Sequence, residues 1–335
     1  MNILKKKDLG KLIEALIGEG TIVAAPAEVE GQVAYSPIVS MDDMVFDYIN
    51  PVNSFKGYLF PLTEVIANYS IKKDGVELEG VGGAFPKTVV IGSRPCDAAS
   101  VASLRSVFVW GEEDESFTKR EDNTVIVTIA CTKGDKECFC TTVGLAPDSP
   151  EGSDVILTET VKDNYIVDAV TEKGKGFLKG FKRFLSNVDE KPKNIDSPKR
   201  IKGIDLNKIK ERLKDTGHYE DPIWAEMSRK CMGCGACTFC CPTCHCFDIV
   251  DEVCGYKGEM RKNWDACQFE GFTLHASGHN PRDAQFKRWR NRFMCKFHIY
   301  PSKFESIGCV GCGRCVRVCP VGLDITEVME KISSY

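Results

Sequence analysis

The sequence predicts an α/β domain followed by a smaller, α-helical domain built around two copies of one cysteine motif. Three observations predict it. Short β-branched apolar runs, alternating with helical patterns, fill the first half. A charged stretch with two prolines and few apolar residues, DEKPKNIDSPKRIKGID (189–205), follows them. Most of the 18 cysteines lie beyond that stretch. The expected division is an α/β domain at 1–190, a linker at 191–208 and a cysteine-rich domain at 209–335.

The elements follow in chain order. Leu9, Leu12, Ile13, Leu16 and Ile17 recur at helical spacing, and Gly18 and Gly20 stop the pattern. The basic start of this segment is interrupted by Asp8 and Glu14, so it reads as an amphipathic helix and not as a signal peptide. KTVVIG (87–92) and NTVIVTIA (123–130) have the composition of buried strands. DVILTET (154–160) and NYIVDAV (164–170) read as two further strands across a short turn at Lys162 and Asp163. FLKGFKRFL (177–185) carries Phe177, Phe181, Phe184 and Leu185 at helical spacing.

With 335 residues and two expected domains, folding buries about three quarters of the unfolded surface, and the core needs no disulfide staples. The net charge of −4 gives no basic excess for nucleic acid. No apolar run approaches the roughly 20 residues of a membrane helix. A cytoplasmic location is expected, and there 18 cysteines need a reason other than disulfides.

Cys231, Cys234, Cys237 and Cys241 stand in C-x2-C-x2-C-x3-C-P, and Cys309, Cys312, Cys315 and Cys319 repeat it. This spacing holds [4Fe–4S] clusters in two-cluster ferredoxins, where the cysteine before proline ligates the other cluster. Cys231, Cys234, Cys237 and Cys319 therefore form a first quartet, and Cys309, Cys312, Cys315 and Cys241 a second. Glycines at 233, 235, 311 and 313 suit a backbone that bends round a cube. Zinc prefers paired CxxC knuckles around one ion and fits the doubled motif less well. The 67 residues between Cys241 and Cys309 suggest, by analogy, the α-helical ferredoxin arrangement.

Cys96 follows one predicted strand and Cys131 another, while Cys138 and Cys140 share one loop. Ligands gather at the carboxyl ends of α/β strands, so these four thiols form a third quartet suited to a [4Fe–4S] cluster, with zinc or core thiols as alternatives. Cys244, Cys246, Cys267 and Cys295 make up a fourth set, for which a cluster, zinc and ordinary buried cysteine stay open. Cys240 and Cys254 are left over.

GVGGAF (80–85) lacks the dinucleotide-binding spacing and reads as a turn. TLHASGHNPR, with His275 and His279, reads either as a self-capped turn or as a loop tuning a cluster. In RDAQFKRWRNRFMCKF (282–297), Phe286, Trp289, Phe293 and Phe297 share one helix face. Arg282, Lys287, Arg288, Arg290 and Arg292 form a basic surface that is either solvated or set against an anionic cluster or partner. No catalytic triad or acid/base pair can be argued from spacing.

SFKGYLFP (54–61), SRPCDAAS, CFCTTVG, CxxCGxCxxxCPTCHCFD, NWDACQF, SGHNPR and GCVGCGRCVRVCPVGLDI, in that order, resemble the β subunit of soluble NiFe sulfhydrogenases and the matching iron–sulfur component of anaerobic sulfite reductase. The resemblance covers about residues 50 to 325. It implies a non-catalytic electron-transfer subunit of an anaerobic, multi-subunit oxidoreductase. One neighbour would be a flavin subunit handling NAD(P)H. The other would be a catalytic hydrogenase, sulfite reductase or heterodisulfide-reductase-type subunit. In some relatives a histidine replaces the residue matching Cys295. The alternatives are a flavin-binding oxidoreductase with its own substrate site near Cys96, and a zinc-stapled scaffold.

Overall fold

The computed structural model describes residues 1–80 and 85–334. The turn expected at GVGGAF lies largely outside them. Twelve strands are described: β1 (Asn2–Leu4), β2 (Ile22–Val29), β3 (Gln32–Pro37), β4 (Thr63–Lys72), β5 (Gly75–Gly80), β6 (Thr88–Ser93), β7 (Thr124–Ile129), β8 (Val155–Glu159), β9 (Tyr165–Ala169), β10 (Leu185–Asn187), β11 (Phe247–Cys254) and β12 (Lys257–Trp264).

Eight of them form one sheet in the order β10-β1-β9-β8-β7-β6-β2-β3. Its centre, β2-β6-β7-β8, is parallel, and its flanks are antiparallel. Strands buried on both faces read as continuous apolar runs, and β6 and β7 are such strands. Val89 and Ile91 pack with Leu9, Leu12, Ile13 and Leu16 of the helix Lys6–Gly18 on one face. Val90 and Ile126 pack with Leu104 and Phe108 of the helix Pro95–Phe108 on the other.

The helix expected at 177–185 is displaced. The chain is helical over Glu172–Gly180, where Thr171 accepts from the Gly174 amide as N-cap, and it becomes β10 at Leu185. Phe177, Phe181 and Phe184 still pack in the sheet's core. The four strands predicted at 87–92, 123–130, 154–160 and 164–170 correspond to β6 to β9.

A second, antiparallel sheet in the order β11-β12-β4-β5 joins chain from before and after the 189–205 segment. That segment contains no helix or strand, but it is tethered. Lys193 N donates to Glu159 O (2.8 Å), Asp196 N to Thr132 O (2.9 Å), and Pro198 O accepts from Thr141 Oγ1 (2.8 Å). The second half has its own core of Ile209, Leu213, Trp224, Trp289, Phe293, Phe297, Val328 and Ile332. Phe139, from the loop that carries Cys138 and Cys140, is buried in this core. Burying a phenylalanine is worth about 1.5–3 kcal/mol, so this ring pins the first half to the second.

Candidate iron–sulfur site

The structure brings the first quartet to one cavity, lined by Cys231, Cys234, Cys237 and Cys319 together with Cys315 and Arg292. Gln285 Nε2 donates to Cys231 Sγ (3.0 Å), and the Leu323 amide donates to Cys319 Sγ (3.2 Å). Such N–H···S bonds stabilise negative charge on sulfur.

In the second quartet, Cys241 is a close electrostatic neighbour of Cys309, Cys312 and Cys315. Burial pushes the Cys309 thiol up to about 11 and the Cys315 thiol to about 12. A hydrogen bond from the Cys244 thiol, with the Lys296 and Arg292 charges, holds Cys241 well below the usual thiol range.

The third quartet also shares one cavity: Cys96, Cys131, Cys138 and Cys140 line it with Arg94 and Cys312. Cys96 starts the helix after β6 and Cys131 follows β7, and these strands are parallel neighbours. Two adjacent carboxyl ends therefore deliver two thiols to one sheet edge. The loop that brings the other two is folded by Asp135, whose Oδ1 accepts from the amides of Glu137 (3.2 Å) and Cys138 (3.1 Å). Burial pushes Cys131, Cys138 and Cys140 up to about 11, so a ligand that takes them as thiolates must release protons.

The fourth set converges as well. Cys244, Cys246, Cys267 and Cys295 line one cavity with His245, Arg292, Lys296 and Gly308. A hydrogen bond from the Cys246 thiol pulls Cys267 down to about 6. Cys295 opens a wide helical turn, Cys295–Ile299, between the helices Gln285–Met294 and Tyr300–Phe304. Single π-type turns of this kind collect at functional sites.

The second quartet borders all the others. Cys312 lines the third cavity, Cys315 lines the first, and Cys241 bonds Cys244 of the fourth. Contact with the third loop is backbone-close, since Phe139 N donates to Gly311 O (2.9 Å). Gly311 (φ 63°) and Gly313 (φ 73°) make the approach: a Cβ at 311 would lie 2.5 Å from Cys140 N, and one at 313 would lie 2.4 Å from Glu137 O. Across the same seam the buried Arg314 guanidinium grips Asp97 at 2.5 and 2.7 Å. Arg317 joins Cys138 Sγ (3.3 Å) to Cys312 O (2.8 Å).

Other sequence candidates fall elsewhere. The His275–His279 loop is self-capped: Asn280 accepts from Thr273 Oγ1 (2.8 Å) and Arg282 N (2.9 Å), and donates to Glu270 O (2.9 Å). Arg290 and Arg292 do not lie on a solvated face; both are buried. Cys240 is buried beside the second quartet, and Cys254 is exposed. Lys56 and Lys296 carried no site signal in the sequence, yet Lys56 Nζ reaches Cys244 O (3.0 Å) and Lys296 Nζ reaches Cys241 Sγ (3.2 Å).

No described helix is long and apolar enough to cross a membrane. The 4Fe–4S dicluster domain family matches residues 230–323, which hold all of the first and second quartets. The chain is 29% identical over 317 residues to sulfhydrogenase 2 subunit beta of Pyrococcus furiosus, covering 92% of each chain. No solved structure matches. A mixed α/β half, a dicluster half and similarity along nearly the whole length mark this chain as an iron–sulfur electron-transfer protein of the sulfhydrogenase β-subunit family.

Proposed function

We propose that the chain is the relay component of a cytoplasmic, anaerobic oxidoreductase complex, passing electrons between a flavin subunit that handles NAD(P)H and a catalytic subunit. The catalytic subunit would be of the hydrogenase, sulfite reductase or heterodisulfide-reductase type. Residues 209–335 would be a helical ferredoxin-like domain whose first and second quartets each ligate a [4Fe–4S] cluster with crossed fourth cysteines. The third quartet would ligate another cluster, and the fourth a further cluster or a zinc ion. One observation carries this reading: the second quartet touches each of the other three, so the four form a connected set with a junction at its centre.

The residues fit the group. Among the described residues no three Cys, His, Asp or Glu side chains converge tightly enough to hold one metal ion. That supports a cage larger than a zinc ion in each quartet. Bound there, [4Fe–4S] clusters supply one-electron transfer. The chain's own part is to exclude water, hold the thiols apart at fixed positions and aim N–H donors at sulfur, as Gln285, Leu323 and Arg317 do.

Anaerobic purification with metal, sulfide and flavin analysis tests the proposal. Four clusters would give about sixteen irons per chain, and three about twelve. Stoichiometric zinc with no acid-labile sulfide sinks it. A cavity of ≈ 300 Å³ favours the second reading, a flavin on this chain itself. It is lined by Lys6, Tyr48, Arg94, Lys133, Glu159 and Tyr165, and it shares Arg94 and Lys133 with the third quartet's cavity. Flavin retained by the isolated chain would support that reading; colour lost entirely with the iron would reject it.

A further inference from the structure

A buried cation in a protein is paired with an anion or strongly disfavoured. Among the described residues the buried lysines and arginines are Lys56, Arg94, Lys262, Arg290, Arg292, Lys296 and Arg314. Three of these have a carboxylate: Lys262 with Asp114 (2.7 Å) and Glu64 (3.1 Å), Arg290 with Glu220 (3.3 Å), and Arg314 with Asp97 (2.5 Å). The other four have none within ion-pair distance. Lys56 is 3% exposed, Lys296 4%, Arg292 5% and Arg94 8%.

Those four share a location. Arg94 lines the third cavity, and Arg292 lines both the first and the fourth. Lys296 lines the fourth cavity while its ammonium reaches Cys241 of the second quartet, and Lys56 holds the carbonyl of Cys244. Their remaining partners are neutral. Lys296 donates to Thr243 Oγ1 (3.0 Å) and Gly308 O (2.8 Å), and Lys56 lies 4.0 Å over the Trp264 ring. Arg292 places Nη1 3.8 Å from Cys244 Sγ and leaves Nη2 buried without a hydrogen-bond partner. Every buried cation that lacks a carboxylate thus borders a cysteine quartet.

We infer that Lys56, Arg292 and Lys296 are the counter-cations of the second and fourth quartets, and that Lys296 is a positioning residue setting the reduction potential at the second quartet. The inference rests on the reading that the quartets hold metal–thiolate groups. Four thiolates around an iron cube make a net anion, and reduction adds one more negative charge. An ammonium 3.2 Å from a ligand sulfur, in a site without water, favours the more negative form. Reduction is therefore easiest where Lys296 and Arg292 both act, at the junction. The fourth quartet belongs to the same balance: three cations against neutral, unmetallated thiols there would leave the interior with uncompensated positive charge.

The test is an EPR-monitored redox titration of the anaerobically purified holoprotein, as wild type, Lys296→Met and Lys296→Arg. Lys296→Met should lower the reduced fraction of one cluster at least tenfold at fixed poise, a shift of about 59 mV for one electron. The Lys296→Arg protein should titrate within threefold of wild type. If Lys296→Met fails to hold iron at the second quartet while Lys296→Arg holds it, the counter-cation role is also supported. An iron-replete Lys296→Met protein with unshifted potentials overturns the inference, as does equal loss of iron from both variants. Failure of the underlying reading looks different: the wild type itself would then lack iron and acid-labile sulfide.

Discussion

The third quartet and the second differ in how their charge is managed. The third is assembled on the ends of two parallel strands and a carboxylate-folded loop, and two of the arginines around it bring their own anions: Arg314 has Asp97 and Arg317 has Asp135. The second is assembled on loops beside a wide helical turn, and Lys296 and Arg292 next to it have only sulfur and neutral oxygen to meet. One region is neutralised by protein, the other by whatever its thiols hold. The contrast teaches that burial alone does not set a site's character; the count of unpaired cations does. It ranks the second quartet as the easier of the two to reduce.

The strongest way to break this comparison is to remove a shared thiol. Cys319→Ala should strip the first quartet of its metal and lower the iron content by about four per chain, leaving the other EPR signals in place. Loss confined to the signal of the second quartet would show that the fourth cysteines are not crossed. Next in size is the seam between the regions. Arg314→Met leaves Asp97 buried with its carboxylate unpaired, and it should cost about 3–5 kcal/mol in denaturant unfolding. An unchanged midpoint would mean that the two halves are held elsewhere.

A finer probe is Gly311→Ala. Its methyl would meet the Cys140 backbone at a φ that alanine disfavours, for about 1–3 kcal/mol, and the EPR line shape of the third quartet should broaden with it. A sharp, unaltered third signal would separate the two sites mechanically. The smallest effect is expected at Cys254→Ser: this thiol is exposed at the end of β11 outside all four sets, so iron content and unfolding midpoint should stay at wild-type values.

The sequence showed the sites better than the scaffold. β6 to β9 were legible because strands buried on both sides are continuously apolar. β4, β5, β11 and β12 were not, because they are exposed along much of their length and carry charges at many positions. The membership of each cysteine set could be argued from spacing and strand ends. Which sets adjoin could not, since Gly311 meets Cys140 across 171 residues of chain, by subtraction of their numbers. Arg292 looked like part of a solvated basic face because composition does not record burial. Only packing around Trp289 and Phe293 turns it inward. Lys296 was invisible for a further reason: a lysine becomes informative only once its carboxylate is found to be missing.

Cys319 completes a cavity begun at Cys231, with 88 residues between them by subtraction of their numbers. A chain emerging from the ribosome cannot finish that pocket until almost its last helix has been made. Metal loading is thereby pushed to the end of synthesis, and a truncated product, lacking the closing thiol, would hold an open and oxygen-vulnerable half-site that quality control could recognise.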